Sequence, residues 1–208
     1  TCTEFYNKNF ELSQELYGMP SGTYRMEIQG FYRNGSQSTH YTAWGNNSLV
    51  HNAYLFLAEG GGNIATGDIA FISDSPSGNT STGNWTSDYS SDYGGSVPND
   101  MQAAASAFDQ NLYLPTATSN TVTGRHVFVN QQALQVGLRN ASHVNADWAI
   151  FTSFRLYYLG NTVTLDETAE TAPQTISDVD VQLNRTLKTG EWNTLCLPFA
   201  MTEDQVSK

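Results

Sequence analysis

Positive charge is nearly missing from this chain. Nine lysines and arginines face twenty aspartates and glutamates in 208 residues, for a formal net charge of −11. Residues 1–160 hold a single lysine, Lys8, and five arginines. A nucleic acid or an anionic membrane needs clustered Lys and Arg to neutralise phosphate, so neither is expected as a partner. Charged residues of both signs make up only 14% of the chain, well under the usual quarter or so. Cysteine is equally scarce. Cys2 and Cys196 cannot build a disulfide framework, and no CxxC or Cys/His spacing suggests zinc. Each reads as a small buried apolar residue, with a Cys2–Cys196 bridge as the alternative.

No apolar run approaches the ~18 residues that a membrane-spanning helix needs. No signal peptide is visible, and the first residue is Thr1 rather than methionine. The expectation is a processed or excised piece whose export signal is absent. Nucleophile elbow, HExxH, Walker A and dinucleotide fingerprints are all lacking. The glycines of Glu59–Gly67 are followed by no Lys-Ser/Thr and read as a tight inter-strand loop. His40, His51, His126 and His143 are dispersed in sequence and read as solvated or hydrogen-bonded groups, with a meeting of His126 and His143 in space as the alternative.

What is present is apolar and neutral-polar. Hydrophobic residues are 39% and aromatics 12%, enough for a sizeable core. Asn, Gln, Ser, Thr, Gly and Tyr must then cover the surface. That suits an extracellular β-sandwich binding a neutral polar ligand, or a secreted protein with a low-charge surface and no ligand.

The strongest strand pattern is Asn145–Gly160. Trp148, Ile150, Phe154, Leu156 and Tyr158 fall on one face at period two, and Phe151, Arg155, Tyr157 and Leu159 on the other. Apolar groups on both faces predict a strand covered on both sides. Thr23–Gly30 alternates cleanly, with Tyr24, Met26 and Ile28 on one side, and Phe31–Arg33 extends it into a polar loop. Asn52–Ala58 predicts another strand, with Ile69–Ser73 weaker. Gly124–Asn130 and Ala133–Arg139 predict a hairpin turning at Gln131. Met101, Ala104, Ala105, Phe108 and Leu112 form a helical stripe, opened by Pro98 and Asn99 or Asp100 and closed by Pro115. Ser73–Val97 predicts a long loop rich in Ser, Gly and Asn that carries Trp85, Tyr89 and Tyr93. Texture changes after Gly160. Residues 161–178 read as a linker or edge strand, and 179–208 as the start of a second β-rich module, with an apolar run from Trp192 to Phe199.

Three segments in order, Phe10–Arg33, the helix of Val97–Phe108 followed by a hairpin ending in Val136–Asn140, and Asp147–Gly160, resemble a non-catalytic module of large secreted and cell-surface proteins of Bacteroidetes. The resemblance implies a galactose-binding-domain-like fold over residues 1–160, an all-β jelly-roll sandwich with one accessory helix. It implies that a first strand preceding Thr1 belongs to the module. Many carbohydrate-binding modules share this fold, and such modules often carry a structural calcium ion. Asp147, with Glu11 or Asn145, is the candidate ligand set, and a capping or turn role for Asp147 is the alternative.

Binding a sugar needs an exposed aromatic face against pyranose C–H groups, flanked by polar side chains for the hydroxyls. Three places qualify: Tyr32, Arg33 and Asn34; Tyr41, Trp44 and Asn46; and Trp85, Asp88, Tyr89 and Tyr93. Arg139 and Asn140 would join them at one end of the sandwich. Packing of Trp44 and Trp85 beneath their own loops is the alternative. Glu11 with Glu15, or Asp88 with Asp92, would be the carboxylate pairs of a glycosidase, but the second pair lies in a loop that nothing in the sequence holds rigid. The expectation is therefore a non-catalytic glycan-binding module within a larger polypeptide, or else a structural or adhesion module.

Overall fold

The computed structural model describes residues 1–166, 168–169, 179–186 and 188–191. The chain divides into two compact units, Thr1–Asn161 and Thr162–Lys208. In chain order the first unit contains β1 (Thr3–Tyr6), β2 (Phe10–Leu16), β3 (Gly22–Arg33), α1 (Gln37–Gly45), β4 (Ala53–Glu59) and β5 (Gly62–Asp68). There follow β6 (Trp85–Thr86), the helical turn α2 (Ser90–Tyr93), β7 (Val97–Pro98), α3 (Met101–Asp109), β8 (Thr121–His126), β9 (Leu134–Asn140) and β10 (Trp148–Gly160). The second unit contains β11 (Thr162–Asp166) and β12 (Asp180–Asn184), paired in parallel. Cys196 and the apolar run from Trp192 to Phe199 lie outside the described residues.

The first unit is a mostly antiparallel, sandwich-like β structure. One sheet has the order β1-β10-β3-β8 and the other β2-β9-β4-β5. Between them lies a core of inward residues, among them Tyr24, Met26, Ile28, Leu55, Leu57, Leu138 and Phe151. Each such side chain taken fully out of water contributes roughly 1.5–3 kcal/mol. Tyr24, Met26 and Ile28 face this core as their alternation predicts.

A second core lies on the outer face of the first sheet. Phe31, Trp148 and Ile150 project there and are covered by Ala104, Ala107 and Phe108 of α3. Two-sided burial of β10 therefore holds for its first half. Asp100 caps α3, accepting the Ala103 N–H at 2.7 Å. At the other end the Gln29 amide donates to the carbonyls of Phe108, in the last turn, and of Leu112, just beyond it, at 2.9 and 2.8 Å, tying the end of α3 to β3.

Five sequence expectations change here. Ile69–Ser73 forms no strand: Phe71 makes an isolated bridge to Tyr32, and Ile72–Asp74 turns as a short 3-10 helix. The strict alternation along β10 breaks at Ser153, where φ is +57° and the register against β3 slips between Thr152 and Arg155. Such a bulge exchanges the faces, so Phe151 and Leu156 reach the same core despite their opposite parity. Gly124–Asn130 and Ala133–Arg139 are not a hairpin: β8 pairs with β3 in one sheet, and β9 pairs with β2 and β4 in the other. The buried stripe of α3 is Ala103, Ala104, Ala107 and Phe108, while Met101 is exposed. The helix ends at Asp109, well before Pro115, because Asn111 and Tyr113 turn left-handed. Finally, the polar stretch after Arg33 holds the helix α1. Its N-cap Ser36 accepts the Thr39 N–H at 3.2 Å.

Candidate functional site

The aromatic residues singled out in two separate loops meet at α1 and α2. Tyr41 and Trp44 are three residues apart on α1, a spacing that places them on one helix face. Tyr89 and Tyr93, four apart across α2, face them. The rings of Tyr41 and Tyr89 stack at 4.1 Å between centroids and 10° between planes. Trp44 lies nearly parallel to Tyr41 at 6.2 Å and edge-on to Tyr93 at 5.0 Å. Tyr41 and Tyr93 meet edge-on at 5.9 Å. Offset and edge-to-face pairs of this kind contribute about 0.5–1.5 kcal/mol each beyond the area they bury. They also fix the rings in place. Trp44 nonetheless keeps 37% of its surface exposed, against 4% for Trp148.

Asp92 joins this cluster. Its carboxylate accepts the Tyr41 hydroxyl and, at 3.3 Å, the Ser91 hydroxyl. The bond to Asp92 and then its charge push the Tyr41 hydroxyl pKa up. Burial, followed by Tyr89, Tyr41 and Asp92, pushes Tyr93 up to about 12. Asp88 is exposed beside Tyr89 in the chain, and Asn46, also exposed, closes α1.

Beneath α1 the polar groups are buried and mutually satisfied. His40 is 1% exposed; its Nδ1 accepts the Asn34 N–H at 3.1 Å and its Nε2 lies 3.2 Å from the Ser73 hydroxyl. Burial, then Arg33, lowers its pKa from 6.5 to about 4. The start of α1 is tied to the β6–β7 segment: the Thr86 hydroxyl donates to Oε1 of the Gln37 side chain at 2.7 Å, and Nε2 of the same side chain donates to Oδ1 of Asn99.

The remaining predicted residues lie elsewhere. Tyr32, Arg33 and Asn34 are buried, not surface groups. Arg33 donates to the carbonyls of Gly35 at 2.9 Å and Ala146 at 3.1 Å, with its guanidinium 5.5 Å from the Trp148 ring centroid. Its donors serve the main chain, so it holds a turn in place. Trp85 turns inward, packs against the α3 core and donates from Nε1 to the Thr82 carbonyl at 2.7 Å. Arg139 lies over the Phe56 ring at 4.7 Å and pairs with Glu11 at 2.8 Å.

Glu11 and Asp147 are not brought together. Glu11 pairs across the strands with Arg139, whereas Asp147 bonds the next residue, Asn140, on the opposite face of β9. The Oδ2 of Asp147 accepts from Asn140 at 2.8 Å, from the Tyr32 hydroxyl at 3.2 Å and from the Val144 N–H at 3.2 Å. These donors suit a turn-organising carboxylate, and the Asp147/Glu11 pair does not fit a shared calcium ion. Among the described residues no group of three or more His, Cys, Asp or Glu side chains is placed to hold a metal. His126 and His143 are likewise separated in role: His126 is buried with Nδ1 at 2.7 Å from Glu59, and the His143 N–H donates to Asn9 at 2.9 Å.

An open cleft of about 500 Å³ also lies between β2 and the second half of β10. Its walls are largely aliphatic, with Leu12, Leu16, Met26, Val136 and Leu156, and Phe154 is its one aromatic ring. None of the predicted ligand residues lines it.

The sequence reading expected all three aromatic segments to converge at one end of the sandwich with Arg139 and Asn140; only those of Tyr41 and Trp44 and of Tyr89 and Tyr93 form the ring cluster, and the parts played by His40 and Asp92 were missed. The readable signal was Ser36 as an N-cap, which makes Tyr41 and Trp44 a helical i, i+3 pair. No family model matches this chain, and neither the curated proteins nor the solved structures hold a match to it.

Proposed function

We propose that the first unit is a non-catalytic glycan-binding module, an extracellular part of a larger surface or secreted protein, with its ligand resting on the Tyr41–Trp44–Tyr89–Tyr93 face. The observation that carries this reading is the exposure of Trp44 within a cluster whose rings are otherwise locked by one another. A fixed, part-exposed ring suits the C–H face of a pyranose because it loses little conformational freedom on binding. Asp88, Asp92 and Asn46 supply acceptors and donors for sugar hydroxyls at its margin.

A jelly-roll connectivity within a galactose-binding-like fold is part of the same proposal. Strand order supports it: β1, β3, β8 and β10 share one sheet while β2, β4, β5 and β9 share the other, so the chain passes repeatedly between sheets.

Affinity electrophoresis and glycan-array screening test the reading with Trp44→Ala, Tyr89→Ala and Trp85→Ala. Loss of at least about tenfold in affinity, equivalent to roughly 1.4 kcal/mol, is expected for the first two. Trp85→Ala should act on stability alone. Absence of glycan binding, or binding indifferent to Trp44→Ala and Tyr89→Ala, overturns the proposal. The 4.1 Å stacking of Tyr41 on Tyr89 favours a second reading, in which the rings mainly clamp α1 to α2 in a structural or adhesion module. In that case both substitutions lower stability and no glycan is retained.

A further inference from the structure

Resting on that reading of the aromatic face, we infer that it selects its glycan by charge: it takes an uncharged or amine-bearing glycan and rejects uronate, sialylated or sulfated ones. The segments that build the face belong to a stretch without a single lysine or arginine. From Asn34 to Gly124 there is none, while Glu59, Asp68, Asp74, Asp88, Asp92, Asp100 and Asp109 all fall within it.

The tertiary structure leaves this imbalance in place at the rings. The flanking cation at one end of the stretch, Arg33, is buried with its donors on main-chain carbonyls. Arg139, the other cation proposed for the ligand, is paired with Glu11. His40, below α1, is buried and held neutral near pH 7. The groups acting electrostatically on Tyr93 are Tyr89, Tyr41 and Asp92, and those on Tyr41 are Asp92 and Tyr89; no cation is among them.

Asp92 sits where a ligand would feel it, bonded to the hydroxyl of the central ring of the stack. The oxygens of a carboxylate accept hydrogen bonds and donate none, so they match sugar hydroxyls or an ammonium group and repel a ligand carboxylate or sulfate. Within a Debye length of ~8 Å at physiological salt this repulsion is felt directly, and it weakens as salt rises. Aromatic stacking supplies attraction to any pyranose; the carboxylates decide which ones are tolerated.

The test uses chemically matched polysaccharides on the whole chain: dextran against dextran sulfate and diethylaminoethyl-dextran, hydroxyethylcellulose against carboxymethylcellulose, and galactan against polygalacturonate. Affinity is measured at low and high salt for the parent protein, Trp44→Ala and the double variant Asp88→Asn with Asp92→Asn. The inference expects a neutral or cationic member to bind in a Trp44-dependent way, with its anionic counterpart at least about tenfold weaker at low salt. High salt and the double variant should each narrow that gap to less than about threefold. Circular dichroism establishes that the double variant is folded. Asp88→Asn and Asp92→Asn as single variants serve in its place if it is not. Trp44-dependent binding of an anionic member equal to or tighter than its neutral counterpart overturns the charge selection and leaves glycan binding standing. A gap that persists unchanged in the asparagine variants also overturns it. If no member of any set binds, the glycan-binding reading itself falls, and this inference with it.

Discussion

Acid should loosen the support of the aromatic face through one residue, His40. Its folded pKa of about 4 lies below the 6.5 of the free side chain. Between those values the unfolded chain binds a proton that the folded protein refuses, so stability rises with pH. The contribution is fully present above about pH 6.5 and is lost as pH falls towards 4. Between pH 7.5 and 5.0 the expected loss from this group alone is about 2 kcal/mol. The cause is geometric. Nδ1 already accepts the Asn34 N–H at 3.1 Å and cannot take a proton without breaking that bond inside a site that excludes water. Urea denaturation of the parent and of His40→Gln at the two pH values measures the effect. The variant should be less stable at pH 7.5 yet lose about 2 kcal/mol less on acidification. Equal losses in both proteins would refute the assignment. His40 lies on α1, the helix that carries Tyr41 and Trp44, so the stability lost in acid is support for the aromatic face.

Two further predictions concern the scaffold. Asp147→Ala removes an acceptor from three donors in a buried site, and should cost at least about 2–3 kcal/mol in urea denaturation; a loss under half a kilocalorie would show that the network is dispensable. Gly67→Ala should destabilise by about 2 kcal/mol or more, because its Cβ would stand 2.0 Å from the Thr121 carbonyl oxygen where β5 closes on β8. Gly78→Ala, with nothing within 4 Å, is the matched control and should leave the melting temperature unchanged.

The two halves of the aromatic face illustrate why the site was only partly legible. Alternation revealed Tyr24, Met26 and Ile28 as core, because a strand's two-residue period writes burial directly into the order of residues. Ring partners come from separate segments, and no local period records that Tyr41 will stack on Tyr89 across 48 positions. The short helix α1 hid behind small polar residues with no apolar stripe, leaving the Ser36 cap as the sign of it in the sequence. Trp44 and Trp85 look alike in sequence, each an aromatic in a polar setting. One stays part-exposed in a ring cluster, and the other joins the α3 core.

The sequence by itself determined the β character of the first unit, the strands β3, β4, β8, β9 and β10 of its inner core, and the near absence of cations on which the proposed charge selection rests. Those properties follow from local period and composition, which need no knowledge of distant contacts. The tertiary structure decided the rest: which sheet β8 and β9 belong to, where the Ser153 bulge exchanges the faces of β10, and which aromatics converge. Arg33 shows the reason most plainly. A lone arginine at the end of a strand reads as a surface group, until Gly35, Ala146 and Trp148 close around it and give its Nε, its Nη2 and the face of its guanidinium partners inside the protein.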